Sequence, residues 1–404
     1  MSGSPRVPWS GPLTGFALEF AAELVRLGYA PRSAQAQLRL MGHVSSWLAA
    51  QGLAAGDLSV EVVERFVAAR RSRYRSMHSS RALVPLLELL RRVGVAPMPV
   101  PAIPAGPVEE ITSRFAEHLR TGRGLADATV VSYVSQTAVF LRWRFERYGA
   151  DWGSLTVRQV HEFVGVRAQG QRPRSVQVGV NAVRVLLRWM SAQGQVPAGL
   201  AESLGSFGAP TMAGLPKALP AGQVIGLFAS LPDDGPIRLR NHAILALLWR
   251  MGLRAGEVAG LLLNDIDWRN GVILVRGKGN RHEQVPLPAD VGASLAAYLK
   301  DGRPAGGTDR RVFLAVDAPH RPVGSSAVSS VVARAAATAG IPGPIHAHRL
   351  RHTAACQVLA GGGGLVEAGQ LLRHASAAAT AVYAKVDITA LAVLARPWPG
   401  AGAR

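Results

Sequence analysis

Two arginines, a lysine, two histidines and a tyrosine stand in fixed order in the last third of this 404-residue chain. Arg254 lies in Met-Gly-Leu-Arg-Ala-Gly-Glu and Lys278 in Gly-Lys-Gly-Asn-Arg. His348 and Arg351 share His-Arg-Leu-Arg-His-Thr, His374 ends Leu-Leu-Arg-His, and Tyr383 stands in Thr-Ala-Val-Tyr-Ala-Lys. A guanidinium is a planar fork of donors that grips two phosphate oxygens at once. A phenol, with an ordinary pKa of about 10, is a poor nucleophile until its proton is taken or its anion is stabilised by cations. The chemistry these types can do together is attack of a tyrosine oxygen on a phosphate.

Each piece also has a plainer reading. Arg254 and Glu257, three residues apart, make an ordinary surface pair worth a few tenths of a kcal/mol on a helix; alternatively, Glu257 orients the guanidinium from behind. Lys278 sits between two glycines, where it is either a solvated turn residue or a group able to reach a DNA groove and hand on a proton. His348 and Arg351 share a helix face, and His352 is expected to point elsewhere. His346, His348 and His352 lack the carboxylate or cysteine support of a metal site, so no metal is expected. A lone tyrosine such as Tyr383 would normally be packing. The order of the whole set carries more weight than any member.

The elements that must position these groups follow from composition and punctuation. The length calls for two or three domains, and 48% apolar residues suffice for cores. Lys and Arg total 45 against 26 acids, a formal charge of +19 that makes a polyanion the expected partner. The single cysteine, Cys356, excludes a disulfide framework and reads as a packed thiol in a reducing compartment. No signal peptide or membrane-length apolar run is evident, so a cytoplasmic location and no membrane partner are expected.

Proline-rich stretches at 96–107 and 206–221 read as linkers. They divide the chain into a helical module over 1–95, a second over 108–205 and a third segment over 222–404. The first two look like copies of one four-helix pattern, sharing Leu58-Ser-Val…Phe-Val and Leu155-Thr-Val…Phe-Val with Ser59 and Thr156 as N-caps. In the third, Gly271–Gly277 and His282–Pro288 form a predicted hairpin, with Pro286 requiring an edge strand. A further strand is expected at Val312–Val316, and helix continues from there to about Leu394. The fold class is therefore mainly α, two small helical domains before a mostly helical α+β domain with a small antiparallel sheet. The run Arg70, Arg71, Arg73 and Arg75, with Arg172, Arg174 and Arg281, supplies candidate phosphate-backbone contacts.

The ordered set resembles the catalytic domain of the tyrosine recombinases, the phage integrase family, over roughly residues 220–395. Met251–Leu261 is similar to the family's first-arginine motif, Gly277–Leu287 to its lysine hairpin, His348–Ala354 to its His-x-x-Arg box and Ala379–Val386 to its nucleophile motif. The segment before it resembles the family's helical, SAM-like core-binding domain, which forms a clamp around DNA with the catalytic domain. Two departures stand out: Arg373 replaces the glycine that often precedes the second histidine, and Gly361–Gly364 is longer than the usual single-glycine turn.

The resemblance implies that Tyr383 attacks a scissile phosphate, forming a 3′-phosphotyrosyl link and freeing a 5′-hydroxyl. Arg254 and Arg351 would hold the non-bridging oxygens, Lys278 would protonate the leaving oxygen, His348 would serve in proton transfer and His374 would hydrogen-bond the phosphate. The covalent link conserves the phosphodiester energy, so no cofactor is implied. Implied partners are double-stranded DNA and further copies in a homotetramer on paired sites, or sister recombinases. The segment after Tyr383, with Ile388, Leu391 and Leu394, either docks on a neighbouring protomer or packs on its own domain. Two rivals keep the scaffold but change the outcome: an inactive DNA-binding accessory protein, and a type IB topoisomerase-like relaxase.

Overall fold

The computed structural model describes residues 10–72, 74, 76–98, 106–171, 173–205, 218–277, 281–305, 309–374 and 376–386. The chain divides into two compact units, Val100–Gly214 and a second made of Met1–Pro99 with Leu215–Arg404. Lys278, Arg73, Arg75, Arg172 and the segment after Val386 lie outside the described residues.

The first module holds α1 (Ala17–Arg26), α2 (Pro31–Ala50), α3 (Val60–Arg71) and α4 (Ser80–Arg92). Its core comes from apolar residues at helical spacing: Phe20 and Leu24 on α1, Leu83, Leu86, Leu87 and Leu90 on α4. The unit Val100–Gly214 repeats this plan with α5 (Pro107–Glu117), α6 (Asp127–Tyr148), α7 (Val157–Ala168) and α8 (Pro173–Ala192), and adds the short α9 (Leu200–Ser203). The repeat extends to burial: Val63, Phe66 and Val67 on α3 match Val160, Phe163 and Val164 on α7. Ser59 and Thr156 cap these two helices, accepting from Val62 and Gln159 backbone N–H groups. Thr156 gains a reciprocal bond, its own N–H donating to Gln159 Oε1. The arginine near the end of each helix turns inward. Arg70 is buried, stacks on Tyr74, donates to the Met77 carbonyl and pairs with His43; Arg167 donates to Gln136 on α6. Arg70 was expected on a phosphate-tracking surface, but a bulky cation on the helix's buried stripe must be satisfied internally, and here it fastens the α3 terminus to α2.

The remaining segment carries α10 (Ala221–Ala229), α11 (Gly235–Arg250), α12 (Ala255–Gly260), β1 (Ile266–Asp267), β2 (Val272–Arg276), β3 (His282–Pro286), α13 (Ala289–Ala297), α14 (Ser325–Thr338), α15 (Ala347–Ala360), α16 (Leu365–Leu371) and α17 (Ala377–Thr380). α11 is apolar all round from Ala243 to Leu248 and every one of those residues is buried, which makes it the central helix of this core. The sheet is antiparallel in the order β1-β2-β3, with Ile273 opposite Val285 and Arg276 opposite His282. Ile273 and Val275 alternate inward, and Pro286 sits on the edge strand its missing N–H demands. Val312–Val316 is not a ladder strand. Two isolated bridges, Leu262 to Arg311 and Leu314 to Pro322, hold this stretch, because Val312, Phe313 and Leu314 are all buried and leave no repeating outward face.

The four-glycine run is accounted for by two helix ends meeting. Gly361 closes α15, Gly362 takes a left-handed φ of 88°, Gly363 donates back to the Val358 carbonyl, and the Gly364 N–H is capped by Glu367 at the start of α16.

Thr156→Ala is expected to destabilise the chain by about 1 kcal/mol. Ser59→Ala, which loses the same kind of cap and also the bond from Ser59 Oγ to Glu61, should cost at least as much, since the reciprocal bond at Thr156 uses a backbone N–H that alanine keeps. Urea midpoints followed by circular dichroism check the order.

Candidate active site

Four turns and helix ends converge to build the site. α11 ends at Met251, and Gly252 turns the chain with a φ of 58°. A Cβ there would lie 2.8 Å from Leu372 Cδ2, so glycine is required both by the conformation and by the close approach of the turn after α16. The turn delivers Arg254 to the N-cap position of α12. Its backbone N–H donates to Glu257 Oε2 at 2.9 Å and its Nη1 to Oε1 at 2.6 Å. Glu257, expected to orient Arg254 from behind, thus holds it at both ends. The Arg254 side chain remains 42% exposed while that of Glu257 is 4% exposed. Burial pushes the Glu257 carboxyl up, but the Arg254 N–H, the charge of Arg373 and the Arg254 guanidinium together outweigh it and hold the group below its ordinary value.

Arg351 comes from α15 and is 2% exposed. It donates to the carbonyls of Gly252 and Leu372, stitching α15 to the turns after α11 and α16. Burial, and then the like charge of Arg254, lowers its pKa to about 10, which leaves it a cation at neutral pH. His348, one turn before it, is lowered by burial and by Arg351 and Arg254. His374 follows α16 and pairs through Nδ1 with Thr380 Oγ1 at 2.8 Å. Burial and the surrounding arginines bring its pKa to about 4.

Tyr383 lies in a 3-10 turn, Ala381–Val386, after α17. It is 2% exposed and packs in a small cluster with Ala355, Leu359, Ala368 and Leu372, apart from the main core. Its hydroxyl is 2.6 Å from His352 Nδ1. The expectation that His352 points elsewhere is therefore corrected. His348 and His352 are four apart, the helical spacing that puts both on one face, and their rings meet edge-on at 4.3 Å between centroids. That spacing was the available signal. Burial, then His348, Arg351 and His374, lowers His352 to about 4. The ring is neutral at pH 7, and in the tautomer with its hydrogen on Nε2 its Nδ1 can accept a hydrogen bond from the phenol. Burial drives Tyr383 up to about 12, and the Arg351 cation acts against that rise.

An open cleft of about 1020 Å³ spreads over this face, lined by Arg254, Arg281, Glu283, Gln370, Arg373 and His374 among others. Arg281 stands exposed at its edge, where the Gly277 N–H meets the Arg281 carbonyl across the hairpin end. Arg71 and Arg174 are exposed on their own modules. Arg373, which sequence reasoning treated only as a missing glycine, has a left-handed φ of 51° and a buried side chain donating to Glu257. That conformation costs a non-glycine residue about 1–2 kcal/mol. Among the described residues no group of three or more His, Cys, Asp and Glu is arranged to hold a metal, and no helix is long and apolar enough to cross a membrane.

The chain is similar to known proteins over most of its length. The phage integrase family model covers residues 217–389, and the phage integrase N-terminal SAM-like domain covers 112–194. An inferred integrase/recombinase of Sinorhizobium fredii, y4rA, is 35% identical across 97% of this chain and 96% of its own length. The chain belongs to the phage integrase family of tyrosine recombinases. The tyrosine recombinase XerD of Mycobacterium tuberculosis is 32% identical over 72% of this chain and 96% of its own. Among solved structures, the XerH site-specific recombinase bound to palindromic difH substrate, a post-cleavage complex, superposes with a TM-score of 0.57 at 18% identity, covering 71% of this chain and 84% of that one. This likeness places the mainly helical fold among the tyrosine recombinases.

Two tests follow from the geometry. Gly252→Ala should destabilise this unit by about 1–3 kcal/mol, since it strains the backbone and displaces Leu372; thermal unfolding reads it. The depressed histidines add a pH dependence. His352 and His374 bind a proton in the unfolded chain near pH 6.5 but in the folded chain only near 4. Their contribution to stability is thus full above about 6.5 and is lost as pH falls toward 4. Melting curves from pH 7 to 4 should fall along this window, and His352→Phe should flatten them.

Proposed function

We propose that this chain is a site-specific DNA recombinase that cuts and rejoins strands through a 3′-phosphotyrosyl intermediate on Tyr383. The observation supporting it most is convergence: Arg254 at the start of α12, His348 and Arg351 on α15 and His374 after α16 lie close enough for the arginine charges to oppose protonation of both histidines, and the Tyr383 phenol is hydrogen-bonded to a neutral imidazole on α15. A phosphate entering the cleft meets the exposed face of Arg254. As charge builds in the transition state, Arg254 and Arg351 stabilise the non-bridging oxygens, a contribution made by prearranged cations in a partly dry site. His352 takes the phenol proton as the O–P bond forms. Transfer in concert with attack suits a phenol whose free anion is held this high in pKa. Lys278 protonates the leaving 5′-oxygen. His348 and His374 hydrogen-bond the phosphate and relay protons.

The positive balance of the chain fits a DNA partner. Arg71 and Arg174 are the exposed cations we assign to backbone contacts outside the cleft, with Arg281 at its rim. The SAM-like segment serves as the core-binding half of a clamp, and the module before it extends the contact. Exchange between two duplexes breaks four strands, and each chain offers one Tyr383, so the working form is a tetramer on paired sites. A role on a mobile element in the cytoplasm accords with this chemistry.

A nicked suicide duplex should trap a covalent protein–DNA adduct that Tyr383→Phe abolishes. An adduct persisting in that variant would remove Tyr383 from its role. Binding without any adduct would leave a DNA-binding accessory protein, and relaxation of any supercoiled plasmid would leave a topoisomerase-like enzyme. Arg254→Ala is expected to slow adduct formation by on the order of 100-fold or more, by analogy with loss of one oxyanion donor. His352→Phe should slow it by at least about 100-fold, the lower range for general-base catalysis.

A further inference from the structure

Arg373 carries two penalties that a glycine in its place would avoid. Its backbone is left-handed, and its guanidinium is withdrawn from water, the side chain being 6% exposed. The return is a fixed set of bonds. Nη2 donates to Glu257 Oε2 at 2.9 Å, and Nη1 donates to the carbonyls of Leu371 at 3.0 Å and Met251 at 3.3 Å. Its Nε is buried without a partner. Its charged partner among the described residues is Glu257, so Arg373 is placed to hold that carboxylate.

Glu257 is thereby shared between a buried cation and a half-exposed one. Arg254 holds Oε1 from the cleft side and Arg373 holds Oε2 from beneath. For Arg254 to give its fork to a phosphate, it must loosen its hold on Oε1. A buried carboxylate left without any cation is strongly unfavourable. We propose that Arg373 is a positioning residue: it serves as the permanent counter-ion of Glu257, so that Arg254 can turn from the carboxylate to the scissile phosphate without stranding a buried charge. The proposal rests on the recombinase reading and deepens it. Arg373 acts through Glu257 and Arg254 and touches no reacting atom.

The test is a cycle on the full-length chain with the nicked duplex, measured in single turnover at saturating DNA, with affinity measured separately. Arg373→Gly removes the counter-ion and relaxes the backbone. It should slow adduct formation by on the order of 10–100-fold while changing DNA affinity only a few-fold. Arg373→Gln, which keeps a side chain of similar reach without charge, should behave alike and reports if the glycine variant does not fold. In a Glu257→Gln background there is no charge to strand, so adding Arg373→Gly should cost nothing further: the double variant should cleave at the Glu257→Gln rate. A merely structural role predicts losses that multiply. An Arg373→Gly chain that cleaves like wild type, or a double variant slowed by the full product of the single losses, overturns the proposal alone. A wild-type chain that forms no Tyr383-dependent adduct overturns the recombinase reading and this proposal with it.

Discussion

A guanidinium withdrawn from water must be met by carbonyls or carboxylates, and Arg351 meets this demand across three segments far apart in sequence. Its two carbonyl partners belong to the turns after α11 and α16, while its own backbone belongs to α15. Losing the side chain would leave both carbonyls buried and unpaired, each costing about 1–3 kcal/mol. The same bonds fix where the neighbouring groups stand. The turn after α11 carries Arg254, and the turn after α16 carries His374. One buried cation therefore sets the spacing of the site before any nucleic acid arrives, which is the sense in which electrostatic stabilisation is prearranged.

Around that cation the site balances charge economically. Glu257 compensates the arginines from below, and the three histidines stay neutral because burial and nearby positive charge both oppose protonation. Neutral imidazoles can accept protons, and they add nothing to the repulsion among the arginines. An arriving phosphate would reverse the balance, favouring the charged forms it stabilises. Proton affinity in the site is thus coupled to occupancy by an anion.

Much of this was legible in the sequence, for identifiable reasons. Gly252 and the apolar run before it announce a helix end that delivers Arg254. Val and Ile between glycines announce the hairpin, and Ser59 and Thr156 announce helix starts. These signals are local, depending on residues within one turn of each other. What escaped was set by distant partners. Arg70 reads as a surface cation until α2 is seen to supply His43. Arg373 reads as a defect until Glu257, more than a hundred residues earlier, is seen paired with it. Val312–Val316 reads as a strand, but Val312, Phe313 and Leu314 are all buried. His352 alone was within reach of local reasoning, through its spacing from His348.

The lodging of Tyr383 has a consequence for access to its hydroxyl. Tyr383 sits in a satellite cluster built largely of alanines and leucines, held by one hydrogen bond and little apolar bulk. Such small clusters open more readily than a main core, yet while closed they keep the hydroxyl from any passing polymer. Access to the Tyr383 oxygen therefore depends on how readily this small cluster unpacks, not on the main core.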